Sequence, residues 1–524
     1  GMKRKRGNLW TNPRRPHLLS SYLDLPAAIE HHYHEVCVTF ERLIGKLSQP
    51  SCQSHTHGEI EELIHAEGME LLRQMVQAHL NQRSAQEPVH EKQIGADGRA
   101  RTHRRFGCTR RLETRFGEVM VPRLGYGGRA MDSVFPLDSV LNLPPDKYSH
   151  GLRKALAETV IEGSFDNALA HLDRLGGGHL GKRQAEEVVV RLSQDFEAFY
   201  GQALPSLPDA ASDAKRLLVI SADGKGIVMH PDSLRDATKA AAQVAEHKQL
   251  TRLSPGEKRN RKRMATVVSV YEVDPHPRCA EQVLDRQHEP QLPRPKPQRK
   301  RTWAGVEKNQ KAMVEAGFLE AIRRDPDQQM KWVVLIDGNE DLVRQVDAMA
   351  SRYKLDIVVI QDFIHVLEYL WKAAHALHPD QPDERERWVG DRAKAVLEGH
   401  AREVAIGLRR AATRAQLRRK KREPVDKAAD YIENNQQRLR YDQALAQGLP
   451  IATGVIEGAC RHLVKDRMDI TGARWRLDQA EAILKLRSLK VSGDLDAYWA
   501  FHFRQEYERH YPTAPLPVPL QEAA

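Results

Sequence analysis

The pattern of apolar positions changes character several times along the chain. In Glu59-Ile-Glu-Glu-Leu-Ile-His-Ala-Glu-Gly-Met-Glu-Leu-Leu-Arg-Gln-Met-Val76 apolar residues recur at three- and four-residue spacing, which predicts an amphipathic helix with a packing role. Residues 84–101 are polar and without period, so a linker is expected there. Residues 109–117 and 118–123 alternate on either side of a glycine, the pattern of a two-stranded hairpin studded with arginine. Beyond Leu141-Asn-Leu-Pro-Pro145 the period lengthens. Residues 150–161, 164–172 and 182–200 read as helices, broken at Gly176-Gly-Gly178, a helix-turn-helix-like order whose last helix opens with Lys182 and Arg183.

The next region reads differently. Arg216-Leu-Leu-Val-Ile-Ser-Ala-Asp223, Met264-Ala-Thr-Val-Val-Ser-Val-Tyr271, Trp332-Val-Val-Leu-Ile-Asp337 and Leu355-Asp-Ile-Val-Val-Ile360 are short apolar runs of the buried-strand type. Helical stretches at 304–324 and 340–352 alternate with them, which predicts a mixed α/β sheet. Residues 363–447 read as all-helical and highly charged. A last periodic stretch covers 454–489, and the Pro-rich end, 512–524, is expected to be disordered. The resulting division is a helical N-terminal region at 1–95, a hairpin with helix-turn-helix at 96–205, a first part of an α/β core at 206–370, a helical insertion at 371–447, the rest of the core with a glutamate helix at 448–495, and a tail at 496–524.

No apolar run approaches the roughly 18 residues of a spanning helix, so no membrane is expected. The five cysteines are odd in number and never spaced Cys-x-x-Cys, which argues against a disulfide framework or a zinc ribbon and for a reducing compartment. Cys52, His55 and His57 are the nearest approach to a metal cluster but lack a fourth ligand.

Charge sharpens the picture. The formal net charge of +10 is concentrated in Arg101-Thr-His-Arg-Arg105 with Arg110 and Arg111, in Lys258-Arg-Asn-Arg-Lys-Arg263, in Arg294-Pro-Lys-Pro-Gln-Arg-Lys-Arg301, and in residues 409–422. Each block alone reads as a solvated face. Together they favour a polyanionic partner, which gains affinity by counterion release, and nucleic acid leads.

Two of the apolar strands end in Asp-Gly, at Asp223-Gly224 and Asp337-Gly338. Ligands in α/β sheets gather at strand ends, and glycine permits close approach to the backbone. Neighbouring carboxylates repel, and a pair of Mg²⁺ ions gives them a reason to be adjacent if the reaction is phosphoryl transfer. A third acid is then expected from a helix beyond the insertion. Thr453-Gly-Val-Ile-Glu457-Gly-Ala-Cys-Arg461 supplies Glu457. A single Asp-Gly is ordinarily a turn or a cap; two on strands with a glutamate in an uncharged setting carry more weight.

The order Asp223, Asp337, Gln361-Asp362-Phe-Ile-His365, helical insertion, Glu457 resembles the D-D-E transposases, and the Asp-x-x-His resembles a mark of the Mutator-like and related bacterial groups. More narrowly, Ala222-Asp-Gly-Lys-Gly226, Thr266-Val-Val-Ser-Val-Tyr271, Val334-Leu-Ile-Asp-Gly338, Asp362-Phe-Ile-His365, Gly454-Val-Ile-Glu-Gly458 and Thr471-Gly-Ala-Arg-Trp475 resemble the ISKra-type (ISKra-four family) insertion-sequence transposases. Phe135-Pro-Leu-Asp138, Leu141-Asn-Leu-Pro144 and Tyr148-Ser149 fit the same family, so the resemblance covers roughly residues 100–510.

The resemblance implies an RNase H-like core with an all-helical insertion, preceded by a mainly helical DNA-binding region with a β-hairpin. It implies a nuclease and strand transferase that uses two Mg²⁺, for which Mn²⁺ can substitute, at the terminal inverted repeats of its element. Asp223 and Asp337 would bridge or flank the ions and Glu457 would complete the second site. Asp362 and His365 would be accessory, ordering the junction into the insertion or touching DNA, with Asp362 the substitute if Asp337 were only a turn residue. Expected phosphate contacts are Arg110, Arg111, Lys182, Arg183, Lys258, Arg259, Arg299, Lys300, Arg301, Arg418, Arg419, Lys420, Arg474 and Arg476. Trp475 either stacks on an exposed base or is a core tryptophan with its indole NH paired. The implied partners are double-stranded DNA, both transposon ends and target, and a homodimer or higher oligomer assembled on it in the bacterial cytosol and nucleoid. A DNA-binding repressor or domesticated factor with an inactive domain, and a nuclease without strand transfer, remain alternatives.

Overall fold

The computed structural model describes residues 27–202, 216–245, 259–284 and 293–517, and the chain falls into two compact units, residues 1–195 with 499–524 and residues 196–498. Lys258 and residues 518–524 of the Pro-rich end lie outside the described residues.

In the first unit the amphipathic pattern becomes the helix His57–Ala85, which packs against the helix Ala27–Leu47. It starts at a capping box: the Thr56 hydroxyl accepts from Glu59 N, and Glu59 Oε2 accepts from Thr56 N at 2.7 Å. Its Leu80 meets Leu112, Val119 and Val121 of a three-stranded antiparallel sheet. In chain order the strands of this unit are β1 (Gln93–Ile94), β2 (Ala100–Arg101), β3 (His103–Thr114), β4 (Gly117–Gly128) and β5 (Met131–Val134). The expected hairpin is present, longer than the alternation at 109–123 suggested and with a third strand. The expected linker contains the small β1–β2 hairpin, in which Arg101, 4% exposed, pairs with Asp97. A buried arginine held by a local aspartate reads as polar chain in a sequence, which is why the ordered segment was hidden.

The helical stretch follows as His150–Val160, Phe165–Leu175 and Lys182–Leu192, with Ser149 and Ser164 as N-caps. The expected helix 182–200 breaks after Leu192, and Phe196–Gly201 belongs to the second unit. The expected tail is instead the helix Leu495–His510, residues 499 onward falling in the first unit. Buried charge obscured it: His502 lies against Asp195 at 2.7 Å, and Glu506 is buried beside Arg153 and Arg509.

The second unit is mixed α/β, as expected. A five-stranded sheet has the order β10-β9-β6-β7-β8, with β6 (Leu217–Val228), β7 (Lys262–Val273), β8 (Gln298–Gly305), β9 (Lys331–Ile336) and β10 (Ile357–Gln361). β6, β7 and β8 are antiparallel, while β9 runs parallel to β6 and β10 parallel to β9. Two expectations are corrected. β6 runs past Asp223 to Val228, and the helix expected from residue 304 is the strand β8 followed by the helix Gln310–Arg324, capped by Asn309. Its arginine-rich start disguised β8 as a solvated segment.

β8 is an edge strand, and its free backbone is covered by one face of the helix Leu477–Ser492. Glu481 Oε2 accepts from Val306 N at 2.7 Å and Glu307 N at 3.1 Å, Ser488 Oγ accepts from Ala304 N, and Ser492 Oγ accepts from Thr302 N, both at 3.1 Å. Edge donors satisfied this way cannot recruit another strand.

One sheet face, with Leu217, Val219, Val333, Leu335 and Ile360, shares a core with the insertion helices Phe363–Leu377, Pro382–Leu397, Ala401–Arg414, Arg419–Asn434 and Tyr441–Ala446. The other face meets the helix Gln310–Arg324 so closely that a Cβ on Gly317 would lie 2.8 Å from Val268 Cγ1. Among the described residues no helix is long and apolar enough to cross a membrane, and the five cysteines are free.

Candidate active site at the strand ends

Parallel register brings the acids into one row. The β6–β9 ladder ends at Ser221 with Leu335, and two residues further on each strand stand Asp223 and Asp337. The β9–β10 ladder ends at Ile336 with Gln361, and the next residues are Asp337 and Asp362. Side chains two and four positions apart share a face. Asp223 therefore lies on the face of Val219, while Asp337 and Asp362 stand one residue beyond the ends of β9 and β10, so the three form a row where the parallel ladders end. Asp223 and Asp337, both half-buried, open onto a cleft of about 500 Å³, lined also by Arg235, Thr266, Asn309 and Asn339.

The two Asp-Gly pairs prove to be different devices. Gly338 has φ +86°, and a Cβ there would stand 2.4 Å from Gln361 Nε2 and 2.9 Å from Tyr431 Oη, so glycine is required. Tyr431 of the insertion donates to the Asp337 carbonyl at 3.0 Å and accepts from Gln361 Nε2 at 2.6 Å, while Asp337 Oδ1 accepts from Asn339 N at 3.0 Å. Gly338→Ala is expected to shift Asp337 and lower stability by about 1–2 kcal/mol, seen as a drop in melting temperature. Gly224, by contrast, lies within a strand without positive φ. Asp223 Oδ1 accepts from Gly224 N at 2.6 Å, and Oδ2 accepts from the Cys460 thiol at 3.2 Å.

Glu457 arrives on the helix Gly454–Ala459, which continues into a π-helical turn at Cys460–Lys465. Its attachment to the sheet is Asp362, fully buried. Asp362 Oδ1 accepts from Ile364 N and Thr453 N, each at 3.1 Å, and Oδ2 lies 2.7 Å from the Thr453 hydroxyl and 2.8 Å from His365 Nδ1. The same carboxylate thus caps the helix Phe363–Leu377 and splices the start of the glutamate helix to the end of β10. The Thr453 hydroxyl also lies 3.4 Å from Glu457 Oε1. Thr453 escaped the sequence reading because its partner is 91 residues away.

The electrostatics follow from these contacts. Burial would raise the Asp362 carboxyl, but the bonds from His365 and Thr453 outweigh it and hold it below its ordinary range. His365, bonded to that carboxylate, is raised above the usual imidazole value despite partial burial. Glu457 is raised, first by burial and then by the charge of Asp362, with Asp223 adding to it. Burial and the Asp223 charge push the Cys460 thiol up.

Ligand atoms of Asp362, His365 and Glu457 lie within 4.8 Å of one another. A second such group, Asp195, His502 and Glu506 in the first unit, is already neutralised by Arg509 and Arg153. Among the described residues no Lys or Arg forms an ion pair with Asp223, Asp337 or Glu457. Two such carboxylates at the strand ends and a third on the helix Gly454–Ala459, offering oxygen donors alone, fit hard divalent cations.

The expected DNA contacts divide by where they point. Arg111, Arg259, Lys300, Arg418, Arg419, Lys420, Arg474 and Arg476 are exposed, as are Lys182 and Arg183, which pair with Asp166 and Glu187. Arg299 is exposed too and pairs with buried Glu272. Two expected contacts are corrected: Arg110 turns inward to Asp138 and the carbonyls of Pro144 and Asp146, and the Arg301 side chain, 11% exposed, is turned to Glu320. Trp475, 5% exposed, is the core tryptophan of the two readings: its indole NH donates to Met468 O at 2.9 Å, and its backbone bridges Val228 O and His230 N. Trp475→Ala is expected to cost about 3–5 kcal/mol, measured by denaturant unfolding. No protein-family model matches the chain, and no curated protein matches it.

Proposed function

We propose that the chain is a DNA transposase with an RNase H-like core, which cuts at the terminal repeats of an insertion sequence and joins the freed 3′ ends to target DNA. The observation that carries this reading is the pairing of Asp223 with Asp337 on adjacent parallel strands, open to one cleft and without a basic partner. The strand order supports the fold reading, since three antiparallel strands are extended by two parallel ones and the two aspartates stand two residues past the end of the parallel β6–β9 ladder.

In this reading Asp223 and Asp337 hold two Mg²⁺ or Mn²⁺ and Glu457 completes the second position. Bound there, the ions supply a nucleophile at neutral pH and offset charge on the phosphate being attacked. The protein's part is positional. Tyr431 and Gly338 set the backbone that presents Asp337, and Asp362 with Thr453 keeps the glutamate helix at the strand ends. Arg259, Lys300, Arg418, Arg419, Lys420, Arg474 and Arg476, exposed in the unit that holds the cleft, supply sequence-independent phosphate contacts. Pairing two ends calls for a dimer or higher assembly on DNA in the bacterial cytosol.

The test is joining of a labelled duplex bearing the element's end into plasmid DNA, with Mg²⁺, with Mn²⁺ and with chelator. Metal-dependent cutting and joining supports the proposal. Cutting without joining would leave a nuclease, and binding with neither would leave a repressor.

A further inference from the structure

The antiparallel sheet of the first unit carries a defect at its edge. Between Arg105 and Cys108 the β3–β4 register shifts, and Gly107 in the shift has φ +70° with no heavy atom within 4 Å of a would-be Cβ. Glycine is there for the backbone conformation of a bulge, not for space. The bulge turns Phe106 out of the sheet, leaving it 72% exposed. Around it His103, Arg104 and Arg105 are exposed, and Arg129 follows the stretch of β4 that pairs with His103 and Arg104. Arg105 leans on the Ser133 hydroxyl at 3.1 Å, and the acid of the adjoining small hairpin, Asp97, is taken up by Arg101.

A bulge and charge on an edge strand suffice to prevent strand-on-strand association. They do not account for phenylalanine, which is costly to leave in water and would be served there by any polar residue. An aromatic ring thrust out among guanidiniums has the chemistry of duplex DNA recognition: phosphates take the arginines and a base step takes an apolar wedge.

We propose that Phe106 is a wedge that enters a base step of duplex DNA while Arg104 and Arg105 hold the flanking phosphates. The proposal rests on the DNA-directed reading above and adds to it a kink that strand cleavage by itself does not require. Pyrimidine–purine steps open most easily, so the wedge favours TA and CA steps.

The experiment uses the full chain and duplexes of about 30 base pairs, with 2-aminopurine at a TA step and dyes at both ends to report bending. Wild type raises the 2-aminopurine fluorescence and draws the ends together. Phe106→Ala loses both signals and binds roughly fivefold or more weakly, with the slope of log affinity against log salt unchanged. Phe106→Trp retains both signals. Replacing Arg104 and Arg105 together by alanine lowers the salt slope by about two. Wild-type bending and fluorescence in Phe106→Ala would overturn the wedge, as would a change in that variant's sedimentation with the DNA signals intact, which would assign the patch to contact between copies. Asp223→Ala separates the two proposals: it keeps the fluorescence signal if the wedge is real, whether or not wild type cuts DNA. A wild type that bends DNA but never cuts it removes the transposase reading alone, and one that binds no duplex removes both.

Discussion

Asp223→Ala and Asp337→Ala are each expected to reduce metal-dependent DNA cutting by about 10³-fold or more, the loss that follows when several kcal/mol of metal-borne charge stabilisation is withdrawn. Both aspartates are half-buried at the cleft, and neither supports the fold through an ion pair, so melting temperature and DNA affinity should stay near wild type. Mn²⁺ binding followed by electron paramagnetic resonance gives a readout apart from turnover, and fewer bound ions are expected in each variant. Glu457→Ala should behave alike but with a milder effect on the first ion. Asp362→Ala should behave otherwise. It removes four hydrogen-bonded contacts from a fully buried carboxylate, so it should unfold at lower denaturant as well as lose activity. Full cutting by Asp337→Ala alongside a stable, metal-free and inactive Asp362→Asn would move the second ligand from β9 to β10.

Glu320→Ala is expected to lower stability by about 3–5 kcal/mol, because it strips the counter-charge from a buried cluster. Glu320, 2% exposed, receives Arg301, Arg323 and Arg324, the last at 2.8 Å. Arg301, its side chain 11% exposed, lies 3.3 Å over the Tyr200 ring and 4.6 Å from that of Trp303, and loses its carboxylate partner once Glu320 is gone. Replacing Glu320 and Arg301 together by leucine should recover much of the loss, which a double-mutant cycle in denaturant would measure. The cluster also sets an acid limit. Burial would raise the Glu320 carboxyl, but the guanidiniums, Arg301 foremost, hold it below the ordinary range. Its folded pKa is therefore depressed, so its stabilisation is complete above the unfolded value of about 4.3 and is lost as pH falls through the lower folded value. Wild type should lose stability below about pH 4 more steeply than the double leucine variant.

How far a sequence can be read depends on how local the deciding interaction is. The helices of the insertion, the strands β6, β7, β9 and β10, and the nomination of Asp223, Asp337 and Glu457 were all legible, because apolar periodicity and an acid before a glycine are properties of a few neighbouring residues. The same reading misjudged Arg301 and Arg110. A guanidinium turned to Glu320 or Asp138 and one turned to solvent have the same neighbours in sequence. It hid β8, whose edge is satisfied by Glu481, Ser488 and Ser492 of a helix far along the chain. It also hid the helix Leu495–His510, whose buried His502 and Glu506 meet their partners only in the folded unit.

The candidate site divides in the same way. That the chain carries three acids in strand-end and helix settings, amid cationic blocks, was determined by the sequence alone, since residue type and local period suffice for that. Only the tertiary structure decided that Asp223 and Asp337 are neighbours, because their adjacency is a matter of strand order and register. It also decided that one Asp-Gly is a required left-handed turn while the other is plain strand, and that Asp362 is the splice between β10 and the glutamate helix. Each depends on groups brought together across the sheet, where contact is set by packing and not by position in the chain.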